Sequence, residues 1–314
     1  MEDYPRTVLE LEDRFPTEEA CRDYLMCLRW PNGFVCPRCQ SGRGWPATRG
    51  RIICGACRYQ VSVTAGTIFQ DIRKPLRMWF RAIWHVTSQK NGASAVSLQQ
   101  VLGLGSYQTA WTWLHKLRRA MVRPGRDQLH GRVEVDETYV GGEEAGSGRY
   151  MGHKALVVIA AEEDGRGIGR IRMARIPEAT RRCLHGFIQQ AVEPRSVVHT
   201  DGLLAYRGLE TLGYGHDISV LQDKGENAAV RLLPRVHRVA SLLKRWLLGT
   251  HQGAVSVGHL DYYLDEFTFR FNRRTSASRG KLFYRLLQQA VQIAPVPYKL
   301  LVGGKPDPTE KHNL

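Results

Sequence analysis

The sequence predicts an α/β protein of three parts in series: a small cysteine-bearing β module, a helical region resembling a helix-turn-helix, and a larger domain built on a mixed sheet. Three observations predict it. Two Cys-x-x-Cys pairs, Cys36/Cys39 and Cys54/Cys57, fall among short β-type stretches and Gly-rich turns with no long periodic run. Helical periodicity takes over from Pro75 to Met121. After a linker over 122–131 the period becomes extended, and the order of elements is three hairpin-type strands, a helix, a strand, a helix, a strand and a helix. A length of 314 residues accommodates about two domains and an accessory module.

Taken in order, Thr17 before Glu18 and Glu19 starts a helix over 16–28, which ends at the turn Trp30-Pro31-Asn32-Gly33. Within 36–69 the β-type stretches are Ile52-Ile53 and Tyr59 to Val63. Pro75 suits a first helical turn, and Leu76, Trp79, Phe80, Ile83 and Trp84 make one apolar stripe. Helices over 94–102 and 107–121 flank the turn Gly103-Leu104-Gly105-Ser106, and the second ends in His115, Lys116, Arg118 and Arg119. That pair reads either as a DNA-binding helix-turn-helix or as an ordinary helical hairpin with a basic, exposed end. Strands follow at 133–140, 154–161 and 168–176, separated by a polar Gly-rich loop and the turn Asp164-Gly165-Arg166-Gly167. A helix over 179–192, a strand over 196–200 and a strand over 217–221 come next, then alternating helix and loop to 293 and a frayed tail beyond Pro295. The expected divisions are 15–70, 71–125, 130–293 and 294–314, with no internal repeat.

Lys and Arg number 45 against 30 Asp and Glu, a net charge of +15, which favours a polyanionic partner, nucleic acid first, over an acidic small substrate. No run approaches the ~18 apolar residues of a membrane span. The amino-terminal stretch lacks a signal peptide's apolar core, so the expected compartment is the cytoplasm. Seven cysteines, with Cys21, Cys27 and Cys183 scattered through apparent helices, suit metal binding in a reducing compartment better than a disulfide framework.

The two Cys pairs stand 14 residues apart, a spacing that lets two tight turns present four thiolates to one zinc ion. Pro37 and Gly55 fit turns whose backbone amides point back at sulfur. A closed structural site would supply folding energy that so short a segment cannot obtain by burial. A redox Cys-x-x-Cys would begin a helix in a βαβ unit, and neither pair does. Arg38, Arg43, Arg49, Arg51 and Arg58 tilt the ribbon towards DNA.

Strand alternation sends Glu134, Asp136 and Thr138 to one face and Val133, Val135 and Glu137 to the other. An Asp amid so apolar a strand is costly unless it binds something positive. Asp201 lies at the carboxyl end of a strand and before Gly202, where α/β sheets carry active-site carboxylates. Either acid alone also suits an N-cap or a solvated strand end; two in one sheet can bind divalent cations. In the helix begun by Pro234 and exited at Gly249, Val236, Val239, Ala240, Leu243, Trp246 and Leu247 form the buried stripe. Arg238 and Arg245 point away, while His237 and Lys244 share a shoulder two turns apart, as metal ligand and phosphate contact or as a boundary His with a snorkelling Lys.

These features together resemble the DDE-type transposases of bacterial insertion sequences, in the zinc-ribbon-bearing ISXO-like branch. The resemblance rests on the ribbon, Val135-Asp136-Glu137-Thr138-Tyr139-Val140-Gly141-Gly142 and His199-Thr200-Asp201-Gly202. It also rests on Val236 to Arg245 followed by Gly249-Thr250-His251, and on Tyr263 to Arg274. It implies a ribonuclease H-like catalytic domain, two Mg²⁺ ions, and cutting and joining of DNA at terminal inverted repeats. Asp136 then matches the first acid and Asp201 the second. His237 stands where many relatives have Glu, with Lys244 matching the basic residue seven later, and Asp223 or Glu226 is the alternative third donor. A neutral imidazole in that set favours Mn²⁺ relative to Mg²⁺. Lys116, Arg118, Arg119, Lys244 and Arg245 become candidate DNA contacts. The resemblance further implies a homo-oligomer on the DNA of a prokaryotic nucleoid. Two other readings share these motifs: a ribonuclease H-like nuclease that cuts without joining, and a zinc-ribbon protein that binds DNA without chemistry.

Overall fold

The computed structural model describes residues 2–123, 125–141, 154–219, 232–253 and 255–303. Among them the helices are α1 (Val8–Arg14), α2 (Glu18–Arg29), α3 (Leu76–Ser88), α4 (Ala95–Leu102), α5 (Tyr107–Ala120) and α6 (Arg181–Ala191). They continue with α7 (Pro234–His251), α8 (Leu260–Phe271), α9 (Arg279–Ala290) and α10 (Tyr298–Val302). The strands are β1 (Gly44–Ala47), β2 (Arg51–Cys54), β3 (Gln60–Ser62), β4 (Arg132–Val140), β5 (Ala155–Asp164), β6 (Gly167–Ile176), β7 (Val197–Asp201) and β8 (Gly215–Ser219). The chain divides into two compact units, 1–123 with 276–303, and 124–275.

In the first unit, a three-stranded antiparallel sheet in the order β1-β2-β3 accompanies the helices. Thr17 caps α2 through its hydroxyl, which accepts the Ala20 N–H at 3.2 Å. Glu18, in the first turn of α2, accepts the Leu76 and Arg77 N–H groups at 2.9 and 3.0 Å and so caps α3, whose N-cap Pro75 has no suitable side chain. Ser94 and Ser106 cap α4 and α5, and Gly103 takes the left-handed conformation (φ +60°) that ends α4. The apolar stripe of α3 is buried as expected, with Phe80 packed between Phe15 and Phe283 at centroid distances of 4.7 and 5.7 Å. Phe283 belongs to α9, so this helix packs in the first unit, whereas the expected catalytic domain ran to 293. Within the tail expected to fray, Tyr298–Val302 forms α10 and buries Leu301 completely, while 304–314 lies outside the described residues.

The second unit is a five-stranded mixed sheet in the order β6-β5-β4-β7-β8. The first three strands form antiparallel hairpins, and β7 and β8 run parallel to β4. This is the ribonuclease H-like arrangement, with β4 at the join between the antiparallel and parallel halves. β5 is buried along almost its whole length because both sheet faces are covered. On one face Val157, Ile159 and Ala161 pack with Val236, Val239, Leu243 and Leu247 of α7 and with α8. On the other, Val133, Val135 and Val158 pack with Leu184, Phe187 and Ile188 of α6. The edge strand β6 is closed by Asn272, whose side chain accepts the Ile171 N–H at 2.7 Å and donates to the Ile171 carbonyl at 3.1 Å. The apolar stripe of α7 is as the periodicity predicts, but Gly249 lies inside the helix, which ends at His251 before Gln252 at φ +52°. Among the described residues no helix is long and apolar enough to cross a membrane.

Candidate active site and metal centre

The ribbon cysteines come together. Sγ atoms of Cys36 and Cys57 are 3.7 Å apart, those of Cys39 and Cys54 are 3.5 Å apart, and all four lie within 4.8 Å of one another. A tetrahedral ion with Zn–S bonds of about 2.3 Å requires sulfur–sulfur edges of about 3.8 Å, so the quartet fits zinc. Its two knuckles are built alike. The residue after each pair, Gln40 or Arg58, takes a left-handed conformation (φ +61° and +60°) and returns its N–H to the carbonyl of Cys36 or Cys54 at 2.9 or 3.1 Å. Backbone N–H groups, that of Cys57 foremost, draw the Cys54 thiol down to about 6 against the effect of burial, which favours the thiolate a metal needs.

In the second unit, the parallel register places Glu134 of β4 opposite His199 of β7. Two residues further along each strand stand Asp136 and Asp201, on the sheet face that α7 covers. Asp136 Oδ1 accepts the Glu137 N–H at 2.9 Å, and its Oδ2 is 3.7 Å from His237 Nε2. Asp201 Oδ1 accepts the Leu203 N–H at 3.0 Å, which holds the carboxylate at the strand end. Burial pushes the Asp136 carboxyl up to about 7, and the negative charges of Glu137, Asp201 and Glu134 add to it. Burial also holds the His237 imidazole below its ordinary range; Lys244 acts in the same sense, against Glu134 and Asp201. His237 thus approaches Asp136, and Asp201 lies on the same sheet face with its charge felt by both. These are donor types that a divalent cation takes, although the three do not converge within 4.8 Å as the cysteine quartet does. Lys244 and Arg245 are exposed further along α7, and Asp223 and Glu226 lie outside the described residues.

This geometry has a consequence for stability. Because the folded-state value of Asp136 lies above the unfolded one, its contribution is full below about pH 4 and is lost as pH rises through about 7. Asp136→Asn should accordingly raise the melting temperature of metal-free protein at pH 8 and leave it nearly unchanged at pH 4.5. Melting curves of the zinc-loaded protein at the two pH values, without added Mg²⁺ or Mn²⁺, check this, and equal shifts would contradict it.

Sequence reasoning did not single out Glu134 or its partners. Glu134 is 0 % exposed, and its carboxylate accepts the N–H groups of Arg235 and Val236 at 2.7 and 3.0 Å and Nη1 of Arg235 at 2.8 Å. Strand alternation already puts it on the face of Asp136, which was the available signal. Glu134, Glu163 and His199 lie close enough to hold an ion. Arg235 and Arg132 approach Glu163 at 3.4 and 3.0 Å, however, and Arg132 also pairs with Asp217, so guanidinium groups already neutralise these carboxylates. On the opposite face the Tyr206 hydroxyl donates to Glu137 at 2.7 Å, a pairing no local pattern announces.

The helical hairpin differs from expectation at its basic end. Arg118 is only 1 % exposed, within 3.4 Å of His115 Nε2, and Lys116 and Arg119 are half-buried. Burial lowers the Lys116 ammonium, with Asp71 opposing. Arg118 therefore does not present its guanidinium to a duplex, because α5 packs on more than one side and a basic residue next to Leu117 turns inward with it. The exposed part of α5 is its start, at Tyr107 and Gln108.

The fold and the two sites define a zinc-ribbon protein with a ribonuclease H-like domain whose acids sit at the junction of the sheet. Residues 128–272 match the ISXO2-like transposase domain, and residues 16–60 match the transposase zinc-ribbon domain. The chain thus carries an ISXO2-like transposase domain behind a transposase zinc-ribbon domain. It is 28% identical over 278 residues to an uncharacterized protein in transposable element ISH50 of Halobacterium salinarum, covering 82% of this chain and 91% of that one. Among solved structures it is similar to the catalytic core domain of BIV integrase, with 15% identity, 55% of this chain and 93% of that chain covered, and a TM-score of 0.31. It is also similar to the Mos1 strand transfer complex, with 14% identity, 76% and 82% covered, and a TM-score of 0.27.

Proposed function

We propose that the protein cuts and joins DNA at insertion-sequence ends by phosphoryl transfer dependent on two divalent cations, Mg²⁺ or Mn²⁺. The observation that carries this reading is the approach of His237 to Asp136 at 3.7 Å, with Asp201 on the same sheet face and its charge felt by both, within a transposase domain. Divalent cations at such a site activate water or a 3′-hydroxyl and stabilise the leaving oxygen of an in-line displacement. Asp136, the first acid of the set, would serve both ions, with Asp201 and His237 serving one each. Lys244, exposed and close enough to lower the basicity of His237, would contact a phosphate near the scissile bond. The cysteine quartet would hold structural zinc, and the ribbon with α4 and α5 would locate the ends. Arg245 would add a phosphate contact, and two or more copies would bridge two ends.

The reading is tested with labelled end DNA and a supercoiled target plasmid. Cleavage and a joined product are expected in Mg²⁺, with Mn²⁺ at least as effective. Pre-cleaved ends giving hydrolysis without joined product would favour a nuclease, and end binding without either reaction would favour a DNA-binding regulator. The excess of Lys and Arg should make binding steeply salt-dependent. For 6–10 phosphate contacts the affinity falls about 10³- to 10⁵-fold between roughly 50 and 200 mM salt, and a flat dependence would contradict the electrostatic part.

A further inference from the structure

We propose that Glu134 is a positioning residue for the metal-holding set: by gripping the first turn of α7 it fixes His237 against Asp136. The inference rests on the reading of Asp136, Asp201 and His237 as metal donors. Helix α7 begins without a capping side chain of its own, since its N-cap is Leu233 and its first residue is Pro234, which has no N–H. Its first available donors are the N–H groups of Arg235 and Val236, and both go to Oε2 of Glu134, a residue about a hundred positions earlier. Oε1 of the same carboxylate takes Nη1 of Arg235, and the remaining guanidinium donors reach the carbonyls of Gly165 at 2.7 Å and Gly167 at 2.9 Å in the β5–β6 turn. The start of α7 is thus tied to two strands at once. His237 follows directly on these bonded residues, and Asp136 stands two positions after Glu134 on the same strand face. The separation of 3.7 Å between Nε2 and Oδ2 is therefore set by a short, rigid circuit: Asp136, Glu134, the first turn of α7, His237.

A Ser or Thr at position 233 would satisfy the same helix terminus at far smaller desolvation cost than a buried carboxylate. What a local cap cannot do is bind the helix to the strand that carries the catalytic acid. Partners bonded directly to metal ligands typically change affinity by about 10- to 100-fold when altered, and Glu134, acting through the backbone of the first turn, belongs at the lower end of that range.

The test uses the full-length, zinc-loaded protein and Mn²⁺ alone as the probe, with free Mn²⁺ read by electron paramagnetic resonance and folding by melting curves. Glu134→Gln is expected to weaken Mn²⁺ binding about tenfold. His237→Ala should also weaken it, and the double variant should bind no more weakly than His237→Ala, because the first change acts through the second residue. Glu134→Gln binding as wild type, or losses that multiply in the double variant, would overturn the proposal. Should Glu134→Gln lose its melting transition, Glu134→Asp, which shortens the reach of the carboxylate to these backbone donors, takes its place with the same criteria. Asp136→Asn separates this proposal from the reading beneath it. If that variant binds Mn²⁺ as tightly as wild type, the metal site itself is wrong and the inference falls with it. If it loses Mn²⁺ while the other losses multiply, only the positioning role falls.

Discussion

Asp136→Asn is expected to abolish the proposed cutting and joining while end binding persists. The substitution keeps the size of the side chain and removes one negative charge from a site where Glu137, Asp201 and Glu134 already repel it. A cation held there by charge would stabilise the transition state by several kcal/mol, so a rate loss of roughly 10³-fold or more is expected. Asp201→Asn should behave alike, since it removes the neighbouring donor on β7. Neither residue belongs to the ribbon, so the affinity of zinc-loaded protein for end DNA, measured without added Mg²⁺ or Mn²⁺, should change less than about threefold, a free-energy change under 1 kcal/mol. Single-turnover cleavage and a binding titration on the same preparations decide the matter. Retained cleavage in either variant would remove these aspartates from the chemistry, and lost binding would make them DNA contacts instead.

Stripping the zinc, or replacing Cys54 with Ser, is expected to unfold the ribbon and remove the proposed end recognition. The ribbon's sheet consists of strands of four, four and three residues, and Ile52 and Val61 are its buried apolar contributions. So small a core cannot offset the entropy of ordering the segment. Structural zinc contributes roughly 10–16 kcal/mol in comparable small domains, as large as the whole stability of a typical domain. Cys54→Ser removes a donor that is 0 % exposed and sits between the two knuckles, so serine cannot be tolerated by turning outward. Limited proteolysis should cut within 31–63 after chelation and not before. The ribbon is tied to α2 by Arg29, which donates to the carbonyls of Ser62 and Val63 at 3.1 and 2.7 Å, so the packing of α2 should loosen with it. Unchanged proteolysis and unchanged end binding would contradict the structural role.

What could be read from local sequence is what local chemistry decides. The cysteine spacing, the capping hydroxyls of Thr17, Ser94 and Ser106, and the apolar stripes of α3 and α7 depend on residues within a turn or two of one another. Asp136 and Asp201 stood out because a charge inside an apolar strand, or at its carboxyl end, needs an explanation wherever the strand lies. Helix α1 and strand β1 were missed for the complementary reason. Val8 and Leu9 are exposed, so α1 carries almost no apolar face, and Trp45 and Pro46 make a poor strand pattern that pairing with β2 overrides.

The amino-acid order by itself determined the metal-binding quartet, the periodicity of the elements and the two acids, because each is a property of neighbours along the chain. Only the tertiary structure decided that Arg118 turns inward, that α9 joins the amino-terminal helices, and that Glu134 reaches Arg235 and Val236 to bring His237 within 3.7 Å of Asp136. Those outcomes depend on which surfaces meet after long loops close, and a contact between residues a hundred positions apart leaves no periodic trace in either segment.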